Sequence, residues 1–370
     1  MRDIYAARAA RAYASMQRSF RKRSGLYRRD GKLRLPGSRA HLWPFARALT
    51  AALDLVGIGD GLVDQVDVDG ALAEDLATLE RYWDTERDPP AYSSDLIGTR
   101  LGGDRYYDDN AWVGLALVQL ERLRPDSGQL ARAVQVFEFA LSGWAGDRSP
   151  HPGGVYWVEQ GAGLGERNHD RNTVSTAPNA QLGLHLEALG AGVASAEADP
   201  VRMYEWVLGA LDESRGSDAP GTGLFWDKIR SDGTVDRATW TYNQGSMVGL
   251  NVLLARKHEP ARTEYLQRAE AIASKALDRF AGGYERQPAA FNAIFFRNLL
   301  LLHAATGDER LRAAVIEAMR GYVDRVWEER RDRRCRFHIA KGGVTLLNQS
   351  AMVQLLALLA WDPAGYPRLA

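Results

Sequence analysis

The chain has 370 residues, 45% of them apolar and 25% charged, with 47 basic against 47 acidic side chains. A formal net charge of zero excludes the basic face that nucleic-acid phosphates demand and the polybasic patch of a membrane-surface protein. The single cysteine, Cys335, excludes internal disulfides and a thiolate zinc site. No apolar run approaches the roughly 20 residues of a membrane span. The charged start Met1-Arg-Asp-Ile-Tyr5 lacks the apolar stretch of a signal peptide. The expectation is therefore a soluble cytoplasmic protein, although a chain trimmed of a leader would read the same and be secreted.

Apolar residues recur at three- and four-residue spacing over 4–20, 41–56, 71–83, 109–123, 129–141, 177–189, 200–211, 242–255, 261–280, 291–305, 310–327 and 346–361, which predicts twelve helices. Every second one is markedly more apolar, and from His41 onward these begin at intervals of about 50 to 70 residues, a recurrence typical of repeat architectures. Half-exposed helices alternating with nearly all-apolar ones predict an all-α (α/α)6 barrel, six outer helices around six inner ones, as a single domain over 1–370.

The connections are asymmetric. Short links such as Arg124-Pro-Asp-Ser-Gly128 and Thr306-Gly-Asp308 leave the inner helices, whereas long Gly- and aromatic-rich segments, 85–108, 143–176 and 215–241, precede them. Loops of that length are usually functional, and in a toroid all would gather at one mouth. Within the long connections, 225–235 with Asp232-Gly233 and 26–35 with Asp30-Gly31 read as hairpins with type I′ turns.

Tyr106-Tyr107-Asp108-Asp109-Asn110-Ala111-Trp112 runs from such a loop into an apolar helix. One aspartate there is a good N-cap; two exceed what capping needs. Successive helical residues point about 100° apart, which brings both carboxyls within reach of one substrate atom pair. A retaining glycosidase needs its two carboxyls about 5–5.5 Å apart. Repulsion between neighbours would keep one protonated and the other ionised, as an acid and a nucleophile require. The helix N-terminus lowers both pKa values, so the raised one needs burial or a further partner.

Aromatics and amides stand at the other inner-helix starts: Tyr156-Trp157, Phe225-Trp226-Asp227, Trp240-Thr-Tyr242-Asn243-Gln244, and Phe291-Asn292. Aromatic faces suit the apolar patches of a sugar, and amides and acids choose among its hydroxyls. Other motifs return little. Gln65-Val-Asp67-Val-Asp69-Gly70 lacks the first and last acids of a calcium loop, seven histidines show no zinc pattern, and no phosphate-binding glycine loop or serine nucleophile elbow occurs. Cys335 stands among Arg333, Arg334 and Arg336, which favour a lowered thiol pKa, on what reads as surface.

Tyr107-Asp108-Asp109-Asn110-Ala111-Trp112 resembles the Asp-Asp signature of glycoside hydrolase family 76, the endo-α-1,6-mannanases and related wall transglycosylases, and Thr241-Tyr242-Asn243-Gln244-Gly245 resembles a second block of it. Weaker similarities at Gly154–Trp157, Thr176–Ala180 and Phe291–Arg297 run in family order, so the resemblance spans 26–297. It implies a retaining hydrolase on an (α/α)6 barrel, cleaving α-1,6-linked mannose with neither metal nor organic cofactor. By motif position, Asp108 is the nucleophile and Asp109 the general acid/base. Asp227 matches a substrate-binding acid. Tyr107, Trp112, Trp157, Asn179, Trp240, Tyr242, Asn243, Gln244 and Asn292 are the expected substrate contacts.

Two places depart from the family pattern: Arg171-Asn172 with Ala177-Pro178-Asn179, and His41-Leu-Trp43-Pro44 at the start of the first inner helix. Both bear on substrate choice. The expected partner is an α-mannan or manno-oligosaccharide, with the protein a monomer. Alternatives are a transglycosylase of the same family, a sugar epimerase of the same shape, which needs a histidine pair where inner helices offer only His41, His185 and His303, and a non-catalytic sugar-binding toroid.

Overall fold

The computed structural model describes residues 1–30, 39–59, 63, 66–98, 103–193, 200–218, 220–339 and 343–370. Among them are twelve α-helices: α1 Arg2–Phe20, α2 Leu42–Val56, α3 Val68–Leu79, α4 Tyr107–Leu123, α5 Leu130–Ser142, α6 Thr173–Ala188, α7 Pro200–Leu211, α8 Thr241–Lys257, α9 Arg262–Phe280, α10 Ala289–His303, α11 Glu309–Glu329 and α12 Leu346–Ala360. Each predicted helix is present, with ends displaced by at most four residues. The largest displacements, of four residues, are at the end of α3 and the start of α6, which begins at Thr173 because the Ser175 hydroxyl accepts the Asn172 backbone N–H (3.1 Å) upstream of Pro178.

The even-numbered helices pack in a closed cycle, α2 on α4, α4 on α6, α6 on α8, α8 on α10, α10 on α12 and α12 back on α2. Outside them α3, α5, α7, α9 and α11 each pack on the preceding inner helix, and α1 packs on α12. This is the (α/α)6 toroid. Inner helices are touched on both sides, so their apolar residues run all round: from Leu346 to Ala360 on α12 every residue but Leu347 and Asn348 is buried. Outer helices bury only a stripe, such as Ala269, Ile272, Ala273, Ala276 and Phe280 on α9.

Two small antiparallel sheets decorate the long connections. β1 (Trp83–Asp84) pairs with β2 (Ala91–Tyr92), and β3 (Arg171–Asn172), β4 (Lys228–Ile229) and β5 (Val235–Asp236) form the second, with Asn172 opposite Lys228. β4 and β5 are the predicted hairpin, but its turn is not type I′. Gly233 takes the positive φ of 85° and Asp232 does not, because the Asp232 carboxylate accepts from the Thr234 backbone N–H (2.9 Å) and hydroxyl (2.7 Å). The other predicted hairpin, 26–35, runs outside the described residues; Asp30, on its near side, bridges to Thr345.

The inner-helix N-termini share one mouth. There the long connections supply the caps that helix starts lack. The first N–H of α2 (Leu42) donates to the Ser94 carbonyl (3.0 Å), that of α4 (Tyr107) to Trp157 (3.0 Å), that of α6 (Thr173) to Asp227 (2.9 Å), and that of α12 (Leu346) to Arg29 (3.0 Å). A loop residue that caps one inner helix is thereby fixed at the mouth, and three of these four also line the cavity described next. At the opposite end the segment 366–370 plugs the barrel, its carbonyls accepting from Gln119, Arg122, Arg256 and Arg297.

Candidate active site

A cavity of about 550 Å³ opens at the mouth, the size of a small-ligand site. Five inner helices reach it at their first turns: Trp43 and Pro44 from α2, Asp108, Asp109 and Trp112 from α4, Val174 from α6, Tyr242 from α8 and Phe291 from α10. His41, Ser94, Tyr106, Trp157, Asn172, Asp227 and Lys228 complete the wall. Aromatic rings flank the acids on two sides. Tyr242 lies flat on Phe291 with centroids 3.8 Å apart, Trp43 tilts against Phe291 at 6.0 Å, and across the cavity Tyr106 meets Trp157 at 4.9 Å.

The helix cap is Tyr106, so Asp108 and Asp109 occupy the second and third helical positions of α4 and neither is the cap residue itself. The two carboxyls have different surroundings. Asp108 accepts from the Asp109 backbone N–H (3.0 Å) and from the Trp157 indole N–H (3.3 Å). Among the described residues no hydrogen bond reaches the Asp109 carboxyl. Burial is the main influence on both. It pushes Asp108 up to about 7 against the pull of its donors, with Asp227 adding to the rise. It pushes Asp109 well above the usual carboxylate range, with the Asp108 charge adding to the effect. Donors stabilise the charged form of Asp108 and nothing comparable stabilises that of Asp109, so Asp108 is the first to ionise and Asp109 keeps its proton. The raised pKa that the adjacent acids needed comes from enclosure, which outweighs the helix N-terminus.

The third acid, Asp227, accepts from the Asn243 amide (3.3 Å) and is also raised, chiefly by burial. Of the expected site residues, Asp108, Asp109, Trp112, Trp157, Asp227 and Tyr242 face the cavity. Asn243 stands behind Asp227. Trp240 packs edge-on against Phe291 at 5.8 Å without joining the lining.

Four expected contacts point elsewhere. The Tyr107 ring stacks on Phe139 (4.4 Å) and fills the space over Gly143, where a Cβ would lie 2.5 Å from it. Asn179 donates to the Tyr107 (3.2 Å) and Ser175 (2.8 Å) carbonyls. Gln244 clamps Phe225, accepting from its N–H (2.8 Å) and donating to its carbonyl (2.9 Å). Asn292 accepts from the Thr241 hydroxyl (3.0 Å) and donates to the Tyr284 carbonyl (2.8 Å). Asn110 makes the same two-sided clamp on Tyr92. Gln244, Asn292 and Asn110 satisfy backbone groups of connections folded onto the mouth, and Asn179 satisfies carbonyls of α4 and α6, where water does not reach them. Amides could not be sorted into clamps and sugar contacts from composition, since both tasks need a donor beside an acceptor.

Lining residues outside the expected substrate contacts are Tyr106, Trp43, His41, Pro44, Ser94, Asn172, Val174, Lys228 and Phe291. Of these, Tyr106 belongs to the acid motif, Phe291 to the aromatics at inner-helix starts, and His41, Trp43, Pro44 and Asn172 to the two departures from the family pattern. Ser94 carries no such signal. Of the three inner-helix histidines, His41 alone lines the cavity among the described residues; His185 is buried far down α6 and His303 ends α10. Among the described residues no group of His, Cys, Asp and Glu could hold a metal ion, and no helix is long and apolar enough to cross a membrane. Asp67, from the calcium-like run, caps α3. Cys335 is buried rather than on the surface, and burial pushes its thiol up against the pull of Arg331, Arg11 and Arg18 rather than of the arginines beside it in sequence.

A toroid whose mouth presents adjacent acids between aromatic walls is that of a glycoside hydrolase. The model of glycosyl hydrolase family 76 matches residues 5–361, and the chain belongs to that family. No curated protein matches it. Its fold is similar to that of a family 76 α-mannanase of Bacteroides thetaiotaomicron (16% identity, 96% of this chain and 95% of that one, TM-score 0.79). It is also similar to that of an α-1,6-mannanase of Salegentibacter sp. HEL1_6 (19% identity, 96% and 99%, TM-score 0.74). An inactive variant of the latter, with two consecutive aspartates changed to asparagine, is known in complex with α-1,6-mannotriose (19% identity, 96% and 99%, TM-score 0.72).

Proposed function

We propose that this hydrolase cleaves α-1,6-linked mannan or manno-oligosaccharides with retention of configuration, residues 1–370 acting as one catalytic domain and as a monomer. The observation that carries the reading is the unequal pair at the start of α4: a carboxylate held by two donors beside a carboxyl held by none. Asp108 attacks the anomeric carbon while Asp109 gives its proton to the departing glycosidic oxygen. The glycosyl–Asp108 ester is then attacked by water, whose proton passes to Asp109, and the sugar leaves with its original configuration.

Adjacent positions on one helical turn hold the two carboxyls close, which suits a direct attack better than a water placed between them. Trp112, Trp157 and Tyr242 offer faces to the sugar, and Asp227, aligned by Asn243, takes its hydroxyls. The α-1,6-mannotriose complex and the inactivity of the double asparagine variant of the Salegentibacter enzyme support both substrate and residues. The test is a product profile: wild type and Asp108→Asn incubated with linear α-1,6-mannan. Short manno-oligosaccharides from the wild type alone are expected. Turnover by Asp108→Asn at the wild-type rate would remove Asp108 as nucleophile, and an inert wild type with an intact helical signal would remove the mannan. Added acceptor sugar distinguishes hydrolysis from transfer in the same assay.

A further inference from the structure

Lys228 is the one lysine in the cavity wall, among three carboxyls, and nothing above uses it. Its ammonium does not point freely at the sugar space. It is paired with Asp170 at 2.8 Å, with side-chain exposures of 24% and 11%. The second oxygen of Asp170 is occupied by the Ser231 backbone N–H (2.9 Å) and hydroxyl (3.0 Å), so this carboxylate is a fixed anchor. The same residue holds Trp157 by the main chain, its carbonyl accepting the Trp157 N–H at 2.8 Å. The ammonium lies 6.0 Å from the centroid of the Trp157 ring, the ring whose N–H donates to Asp108.

We propose that Lys228 is a positioning residue: anchored by Asp170, it braces the Trp157 ring and, through the indole N–H, holds the Asp108 carboxylate in place for attack. A cation near an indole face is attracted by the ring and draws electron density from it, which makes the N–H a better donor. A better donor favours the ionised acceptor. The inference rests on Asp108 acting as the nucleophile.

The groups that face this chain from all sides are known. Asp108 is faced by Asp109, Asp227 and the hydroxyls of Tyr106 and Tyr242, and the cavity also holds His41. Lys228 is faced by Asp170, Asp227 and Asp236, the last already paired with Arg230. Removing the lysine takes the cation from the Trp157 ring and leaves its indole N–H a weaker donor, so Asp108 becomes harder to ionise.

The experiment compares wild type, Lys228→Met, Lys228→Arg and each lysine change in a Trp157→Phe background. One readout is kcat/KM for α-1,6-mannan against pH. The other needs no substrate: the indole ¹H–¹⁵N signal of Trp157, identified by its loss in Trp157→Phe, followed through a pH titration. In the wild type this signal should titrate with a carboxyl, and Asp108→Asn should abolish that step. Lys228→Met should move the step and the acidic limb of kcat/KM to higher pH by roughly half to one unit, a loss of about three- to tenfold on the acidic side, with KM little changed. Lys228→Arg should restore the wild-type position, and the change should have little effect once Trp157 is gone. A higher KM for Lys228→Met with limb and indole signal unmoved would make the lysine a sugar contact and overturn the proposal. A wild type inert on α-1,6-mannan would count against the substrate alone, since the indole titration judges Lys228 without it.

Discussion

The two ends of the barrel handle buried polar groups in opposite ways. At the closed end, Arg297 pairs with Asp54, both almost fully enclosed, and also reaches Gln119 (3.4 Å) and the Ala370 carbonyl (3.3 Å); Gln119 in turn accepts the Ala370 N–H (2.8 Å). Burial pushes Asp54 up while the Arg297 guanidinium pulls it back. At the mouth, Asp109 has a like charge for a neighbour and no hydrogen bond among the described residues, and burial displaces both Asp108 and Asp109 upward with no salt bridge to either among the described residues. The closed end spends its polar residues on holding the ring shut; the mouth leaves two acids perturbed, as the proposed nucleophile and proton donor require.

The largest effect is expected for Asp108→Asn, which should lower kcat on mannan by about 10³-fold or more, with an unchanged circular dichroism spectrum. Asp109→Ala comes next. It should lose about 10²- to 10⁴-fold on mannan but far less on an aryl mannoside whose leaving group needs no proton; equal losses on both would remove the acid role.

At the closed end, Arg297→Leu should cost about 3–5 kcal/mol of stability in denaturant titration by stranding the buried Asp54, while kcat of the folded fraction stays near wild type. Gln244→Ala should cost about 1–3 kcal/mol because the Phe225 backbone pair loses its partner. It should also weaken activity by loosening the connection that carries Asp227, the expected mark of a clamp rather than a sugar contact.

The smallest effect is on stability and runs with pH. Both Asp108 and Asp109 have folded-state pKa values above the unfolded value of about 4. Their contribution is therefore fully present below pH 4 and is lost as pH rises through the folded value, about 7 for Asp108. Asp108→Asn should thus be more stable than wild type at pH 8, by about 1 kcal/mol, with the gap closing toward pH 4. A variant less stable at pH 8 would mean that the carboxylate is better satisfied than its surroundings indicate.

Much of the toroid was legible because its physics is periodic. Alternation between half-apolar and all-apolar helices follows from one ring being covered on both sides, and α12 and α9 show the two patterns in their purest form. The adjacent acids were legible because two carboxylates at one helix start exceed any capping need. What the sequence concealed is orientation. Tyr107 and Trp157 are both aromatic, at motif positions, beside the acids, yet one packs outward on Gly143 and the other donates to Asp108. The amides Gln244 and Asn292 were drawn to backbone groups of connections, and Asn179 to a carbonyl of α4, along paths that only the folded chain reveals. Lys228 reached the site through strand register, opposite Asn172, a pairing that no local pattern encodes.

The most direct measurement of the central claim is the anomeric form of the first product, followed by ¹H NMR in the early minutes of α-1,6-mannan cleavage, before mutarotation. The account predicts the α-anomer first, as a glycosyl–Asp108 ester opened by Asp109-activated water requires. The β-anomer first would mean single displacement by water, and Asp108 could not then be the nucleophile.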